Sequence, residues 1–170
     1  TGKTHSLALL LSSYKSRSLL PEYTMDGIQD AMHARGMHLM VESLPDPKLT
    51  DGEFMPKLLR EIMSDGLLVN YNARIPKAVL DFIDRLDVPA VWLNAKRPVC
   101  AVYPDDFEAA SQATETLREL GHRRICYVDF THRRDEEPWH YSGTDRRMGY
   151  ETVMKRAGMT PRRHGSLIDL

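Results

Sequence analysis

The sequence is short of cysteine, of long hydrophobic runs and of net charge. Two Cys in 170 residues are too few for a disulfide scaffold and suit a reducing compartment. The longest apolar stretch, Leu7 to Leu11, is far below the roughly 18–20 residues that cross a bilayer. Lys+Arg 23 against Asp+Glu 24 gives a net charge of −1, which argues against nucleic-acid binding by this chain itself. These shortages predict a cytoplasmic protein that is not an exported precursor.

Sequence motifs for catalysis and metal binding are missing as well. There is no Gly-x-Ser-x-Gly elbow and no His-Glu-x-x-His helix. His132 and His140 share one segment, but no acidic or Cys partner stands at a usual ligand spacing. Asp105 and Asp106 are typical of a helix cap followed by a favourable dipole charge. The sequence therefore predicts no catalytic residue, no metal and no cofactor.

Six short apolar runs alternate with segments of helical periodicity, and this alternation predicts the fold. Continuous apolarity in short runs is typical of strands that are covered on both faces. The expected fold is α/β, a parallel sheet flanked by helices. The predicted strands are Leu7–Leu11, His38–Val41, Gly66–Val69, Ala90–Leu93, Val99–Tyr103 and Ile125–Val128. The two Cys, at 100 and 126, fall in the last two runs and are expected in the core.

Five segments carry apolar stripes at helical spacing. Pro76 suits the first turn of the third helix, and Gly36, Gly121 and Gly158 follow the ends of three others. The apolar Ser-Leu-Ile-Asp-Leu at 166–170 resembles the start of a further strand. The predicted stripes are Met25, Ile28, Ala31, Met32; Phe54, Leu58, Leu59, Ile62; Val79, Leu80, Ile83; Ala110, Ala113, Leu117, Leu120; and Tyr150, Val153, Met154, Ala157.

Polar residues stand where three predicted strands end: Asn70, Asn94 and Tyr103. Loops leaving the carboxyl ends of parallel strands surround the ligand crevice, so these side chains are expected to face it, together with the irregular segments 12–20 and 129–144. Asn both donates and accepts hydrogen bonds, which suits a ligand rich in hydroxyl groups. The sequence predicts a binding cleft at this edge.

Aromatic and guanidinium groups are expected near the same edge. Tyr14, Tyr71, Tyr103 and Trp139 are candidates for the apolar face of a ring. Arg146 and Arg147 are predicted to open the last helix, where a planar guanidinium can contact two ligand oxygens. An exposed arginine at a helix start explains the same position equally well.

A different function is suggested by Gly2-Lys3-Thr4, which matches the end of a phosphate-binding loop, with Ile125–Asp129 as the accompanying strand and Asp. This interpretation, a nucleotide-binding enzyme, requires residues 6–15 to form a helix. The run from Leu7 to Leu11 permits a strand as readily.

Two segments carry a more specific resemblance: Glu119-Leu-Gly-His-Arg-Arg-Ile125 and Asp145-Arg-Arg-Met-Gly-Tyr150. Together with Glu22–Gly36, 65–71 and 88–94, they are similar to the effector-binding domain of the LacI/GalR family of bacterial transcription regulators. The resemblance extends over residues 4–165. It implies a periplasmic-binding-protein-like fold of type I, with a first lobe at 1–122 and the beginning of a second, incomplete lobe at 123–170.

The resemblance also assigns ligand-binding roles. It implies that Arg146 hydrogen-bonds effector hydroxyls, that Asn70 and Tyr103 line the first-lobe side of the pocket, and that Tyr14 lies in a closing loop. Asn94 stands where the family usually has Asp, and Asp105-Asp106 replaces the usual Asp-Asn pair. Trp139 is added on its position alone.

The implied function is that of a non-enzymatic sensor. A small hydroxyl-rich effector, a sugar, binds between the lobes and shifts the DNA affinity of a helix-turn-helix that this chain does not contain, in a homodimer. A periplasmic sugar-binding receptor for transport shares the two-lobe plan and is the alternative. The phosphate-loop enzyme is the less favoured one.

Overall fold

A computed structural model of the chain describes residues 4–14, 17–45, 64–86, 88–129 and 140–165. It divides into two units, Thr1–Tyr103 and Pro104–Leu170. The predicted helix around Phe54 to Ile62 and the predicted strand at 166–170 lie outside the described residues.

The first unit is built on a parallel sheet with the strand order β2-β1-β3-β4-β5. All five predicted strands of this region are confirmed in place, although β5 is much shorter than expected. Helices α1 and α2 follow β1 and β3. The elements are β1 Ser6–Ser12, α1 Glu22–His33, β2 His38–Leu44, β3 Gly66–Asn70, α2 Lys77–Ile83, β4 Ala90–Leu93 and β5 Ala101–Val102.

The hydrophobic pattern explains where each strand lies in the sheet. Ala8, Leu9 and Leu10 of β1 have no exposed surface, as expected for a central strand covered on both faces. Strand β2 pairs with β1 alone in the described sheet, and its Val41 is half exposed. The expectation that every run is covered on both faces is therefore wrong for β2, in which only Leu44 is buried.

Proline and glycine set the helix limits much as the sequence predicts. Pro21 precedes α1 and Pro76 precedes α2, where a missing backbone N–H costs no helical hydrogen bond. After α1 the chain reverses at Gly36, whose φ of +61° is favourable for glycine. Val79 and Ile83 bury the inner face of α2 against the sheet core.

Strand β1 is held at its start by one carboxylate. Asp65 accepts hydrogen bonds from the backbone N–H groups of Thr4 and His5 at 2.8 and 2.9 Å and from the Thr4 hydroxyl at 2.9 Å. The bond from the Thr4 N–H is the largest cause of the lowered pKa of Asp65, with the Thr4 hydroxyl and His5 adding to it against partial desolvation.

Asp65→Asn is expected to lower stability at neutral pH and to have little effect in acid. A carboxyl whose pKa is lowered by folding stabilises the protein above its unfolded value near 3.8, and this stabilisation is lost as the pH falls through the folded pKa. Urea unfolding from about pH 7 down to about pH 3 checks this. The exposed Asp26→Asn on α1 is the control, and a pH-independent difference for Asp65→Asn would contradict the prediction.

The second unit contains α3, β6, α4 and β7, in which β6 and β7 pair in parallel. Helix α3 packs against α4, and Ile125, Tyr150 and Met154 form a small core. The Tyr150 hydroxyl lies 2.9 Å from the carbonyl oxygens of Ile125 and Arg162 and accepts from the Arg162 N–H at 2.8 Å, which fixes β7 beside β6. The elements are α3 Asp106–Glu119, β6 Cys126–Asp129, α4 Tyr141–Arg156 and β7 Arg162–Gly165.

Several details of this region differ from the predictions. Strand β7 was not expected, because its Arg-Arg-His sequence has no apolar run. Leu117 and Leu120 are exposed, since α3 turns Thr114 and Asp106 inward instead. Both cysteines are also exposed rather than in the core, one preceding the short β5 and the other on an open face of β6.

The unit boundary lies between Tyr103 and Pro104, whereas the predicted lobes meet at 122/123. Helix α3 accounts for this difference, since it packs on α4. The lobe assignment itself stays a prediction.

Strand β1 also contradicts the phosphate-loop interpretation. That motif needs a helix immediately after Lys3 and Thr4, but Ser6–Ser12 is a strand in the middle of the sheet. Within the described residues, no group of His, Cys, Asp and Glu has the arrangement of a metal site, and no helix is long and apolar enough to span a membrane.

Candidate functional site

The segment after β1 is anchored to the carboxyl end of β3. The Asn70 side-chain amide is fully buried and donates to the Ser18 carbonyl at 3.1 Å, while its oxygen accepts from the Asn72 amide at 3.2 Å. The Asn72 backbone N–H donates to the Arg17 carbonyl at 2.9 Å. Asn70 thus links the segment that follows β1 to the end of the neighbouring strand β3, and this contact stabilises the edge of the sheet.

Serines shape the turn itself. The Ser12 N–H donates to the Ser18 hydroxyl at 2.6 Å, and the Tyr14 N–H donates to the Ser12 hydroxyl at 3.0 Å. The Arg17 guanidinium lies 4.8 Å from the centroid of the Tyr14 ring and donates to the Tyr71 hydroxyl at 3.1 Å. Tyr14 is therefore held at the sheet edge with about half of its side chain exposed.

Asn94 and Tyr103 follow the two next strands of the sheet. The Asn94 N–H donates to the Val102 carbonyl at 2.8 Å, and Asn94 adopts a φ of +53° as the chain leaves β4. Tyr103 follows β5 and is 39% exposed. Because β3, β4 and β5 are neighbours, the structure brings Asn70, Asn94 and Tyr103 to one edge, as expected. The side chain of Asn70 does not face a crevice there, contrary to expectation, because it is fully buried and bonded to Ser18. Tyr71 is fully buried and offers no ring face to a ligand, contrary to expectation.

A cavity of about 400 Å³ opens beside this edge, at the carboxyl ends of β1 and β2. Sequence reasoning did not find it, because its polar groups are serines with no distinctive spacing. The lining residues are Leu11, Ser12, Ser13, Ser18, Leu19, Leu20, Met25 and Ser43.

Arg146 lies in the second unit, within α4 rather than at its start. The helix begins at Tyr141, where the His140 ring accepts from the Ser142 N–H and caps the first turn. The expectation that Arg146 and Arg147 lie at the start of this helix is wrong, because the helix is capped by His140, six residues before Arg146.

A buried carboxylate holds the Arg146 guanidinium. Its Nε atom donates to Asp106 Oδ1 at 2.6 Å, and the Arg146 side chain is 56% exposed whereas that of Asp106 is 8% exposed. Asp105 is the helix cap, as predicted, and accepts from the Glu108 N–H at 2.9 Å. No sequence pattern indicates the Asp106–Arg146 pair, whose members are 40 residues apart.

Tyr127 lies among the same charged groups. Its hydroxyl donates to the Gly143 carbonyl at 3.3 Å. Burial is the main cause that raises the pKa of Tyr127, and Asp129 adds to it, while Arg146 and Arg147 act in the opposite direction. The end of β6 and the first turns of α4 thus carry a compact set of charges.

Comparisons with known proteins find similarity to transcription regulators, although no protein-family model matches the chain. The HTH-type transcriptional regulator GntR of Escherichia coli K12 is 30% identical in an alignment 165 residues long. The alignment covers 89% of this chain and 47% of the relative. The predicted resemblance to LacI/GalR-family regulators is thereby confirmed. The chain spans about half the length of this curated relative.

Solved structures show that the chain has the fold of LacI-family regulators. A LacI-family regulator from Rhizobium etli aligns with a TM-score of 0.72 and 18% identity, over 98% of this chain and 59% of that one. The transcriptional regulator CelR in complex with cellobiose aligns with a TM-score of 0.66 and 21% identity, over 96% of this chain and 51% of that one. The predicted fold class is thereby confirmed.

The predicted ligand-binding residues fall into two sets in the structure. Tyr14, Asn70, Asn94 and Tyr103 lie along one sheet edge of the first unit, and Arg146 lies on α4 of the second. Trp139 lies outside the described residues. Their joint role in one ligand site stays a prediction.

Proposed function

We propose that this chain is the effector-binding part of a transcription regulator and that its effector is a sugar. The observation that carries the proposal is Arg146, which is fixed on one side by Asp106 and more than half exposed on the other. A guanidinium held in this way presents its outer N–H donors in a fixed direction. It is typical of a group that recognises ligand oxygens.

The first unit, taken by itself, also carries groups suited to binding a sugar. Asn94 and Tyr103 leave neighbouring strands at the same edge. Amide and phenol groups donate and accept hydrogen bonds, as hydroxyl groups of a sugar require. A relative of the same fold is known with cellobiose bound, which supports the sugar class for this chain.

The proposed action is a population shift rather than catalysis. Binding of the sugar favours one arrangement of the two lobes, and this arrangement changes operator affinity through a helix-turn-helix outside these 170 residues. We place the protein in the cytoplasm as a homodimer without cofactor. The curated relative is a transcription regulator, which favours this function over the transport receptor.

Arg146→Ala in the full-length protein is expected to weaken sugar binding at least tenfold. One or two hydrogen bonds from a charged donor are lost, each contributing about 1.5–3 kcal/mol. Calorimetric titration with a panel of neutral mono- and disaccharides, cellobiose included, measures the effect.

The matched control is Arg156→Ala, which removes an exposed guanidinium from the end of the same helix. Its sugar affinity is expected to stay within twofold of the unsubstituted protein. Unchanged affinity in Arg146→Ala would refute the proposed role of Arg146.

A further inference from the structure

The ion pair between Asp106 and Arg146 is asymmetric. Asp106 is enclosed, and only its Oδ1 atom contacts Arg146 Nε, at 2.6 Å. Its other oxygen, Oδ2, is buried and has no hydrogen-bond partner within the described part of the chain. The negative charge of Asp106 is paired with Arg146 and lies in the first turn of α3, where the helix dipole favours an anion.

Burial strengthens the electrostatic interaction of Asp106 with neighbouring charges. A carboxylate removed from water acts on neighbouring charges through a lower effective dielectric constant than an exposed one. Asp105, one residue earlier, is exposed and already occupied in capping α3. Of these two adjacent carboxylates, Asp106 is the one that contacts the Arg146 guanidinium.

We propose that Asp106 is the positioning residue of Arg146 and that the pair selects an uncharged, hydroxyl-rich effector over its carboxylate-bearing counterpart. This inference rests on the proposed function, since it requires Arg146 to contact the effector. It narrows the effector class to neutral sugars.

Two properties of the pair lead to this selectivity. First, Asp106 occupies the Nε edge of the guanidinium, which is one of the two edges that grip a carboxylate with parallel hydrogen bonds. Second, the pair has no net charge, so an incoming carboxylate meets the repulsion of Asp106 as well as the attraction of Arg146. A hydroxyl group has no charge to be repelled and accepts from the remaining N–H donors.

The test compares matched ligands in which one CH2OH group is replaced by a carboxylate: glucose with glucuronate, galactose with galacturonate, and cellobiose with cellobiouronate. One of these pairs is expected to bind to the full-length protein. Within that pair, the neutral sugar is expected to bind at least tenfold more tightly than the acid. Asp106→Asn leaves the charge of Arg146 uncompensated, so the ratio of neutral to acid affinity is expected to fall at least tenfold.

Asp105→Asn is the matched control, because it removes the same charge one residue away and keeps a good capping side chain. Its affinity ratio is expected to equal that of the unsubstituted protein. A purely structural role of Asp106 predicts equal weakening for both ligands, so an unchanged ratio in a folded Asp106→Asn protein overturns the inference.

The unsubstituted protein provides a second measurement that does not depend on the folding of any variant. If the acid binds as tightly as its neutral counterpart and Arg146→Ala still weakens binding at least tenfold, the inference fails and the proposed function stands. If no member of any pair binds, the proposed function fails and the inference with it.

Discussion

Replacing Gly149 with alanine is expected to lower the free energy of unfolding of the second unit by about 3 kcal/mol or more. A Cβ atom at this position would overlap the Phe107 carbonyl oxygen and lie 3.0 Å from Ser111 Oγ and 3.1 Å from Ser111 N. The Phe107 carbonyl cannot turn away, because it belongs to α3 and accepts from the Ser111 hydroxyl at 2.8 Å. Helices α3 and α4 would have to separate, and the burial of Asp106 and Thr114 would be lost with their packing.

Gly143→Ala on the same helix is the matched control. The nearest heavy atom to its added Cβ would be Asp129 Oδ2 at 3.8 Å, an ordinary contact. Alanine is favoured over glycine in a helix by about 1 kcal/mol, so this variant is expected to be as stable as the unsubstituted protein or slightly more stable. Thermal and urea unfolding measure both variants. Equal stability of the two would show that α3 and α4 do not cross closely at Gly149.

Tyr71→Ala is expected to destabilise the first unit by about 3–5 kcal/mol. The ring has no exposed surface and packs in the core with Val69, Val79 and Trp92. Removing it leaves a cavity that β3 and α2 cannot fill without moving. The unfolding midpoint in urea measures this loss.

Tyr71→Phe separates the ring from its hydroxyl. It removes the contact with Arg17 but keeps the packing, so a loss of only about 1 kcal/mol is expected. The two variants also test whether Tyr71 faces a ligand. A Tyr71→Ala protein of normal stability with weakened sugar binding would contradict the buried position described above.

The strands were predictable because their signal is local. Central strand β1 consists of consecutive apolar residues, and the same signal located β3 and β4. Strand β7 was not predicted, because no local sequence signal marks it. Its Arg-Arg-His sequence is exposed, and it is fixed through the hydroxyl of Tyr150, a residue outside the strand.

The helix packing was less predictable than the helices. The spacing of Leu117 and Leu120 indicates a buried stripe, yet both residues are exposed, Leu120 by 71%. Helix α3 instead faces α4, where Gly149 permits close approach. Helical periodicity predicts that a face is apolar, but the partner helix decides which face is covered.

The sequence by itself predicted the resemblance to the LacI/GalR family, the parallel sheet and the edge at which Asn70, Asn94 and Tyr103 lie, because motifs and strand ends are properties of short segments. Only the tertiary structure decided what these groups contact. In the folded chain the Asn70 amide donates to the Ser18 carbonyl and the ring of Tyr71 is buried. Asp106 forms an ion pair with Arg146, which lies 40 residues further along the chain. Such pairings depend on which helices and loops meet after folding, and no local pattern of residues records them.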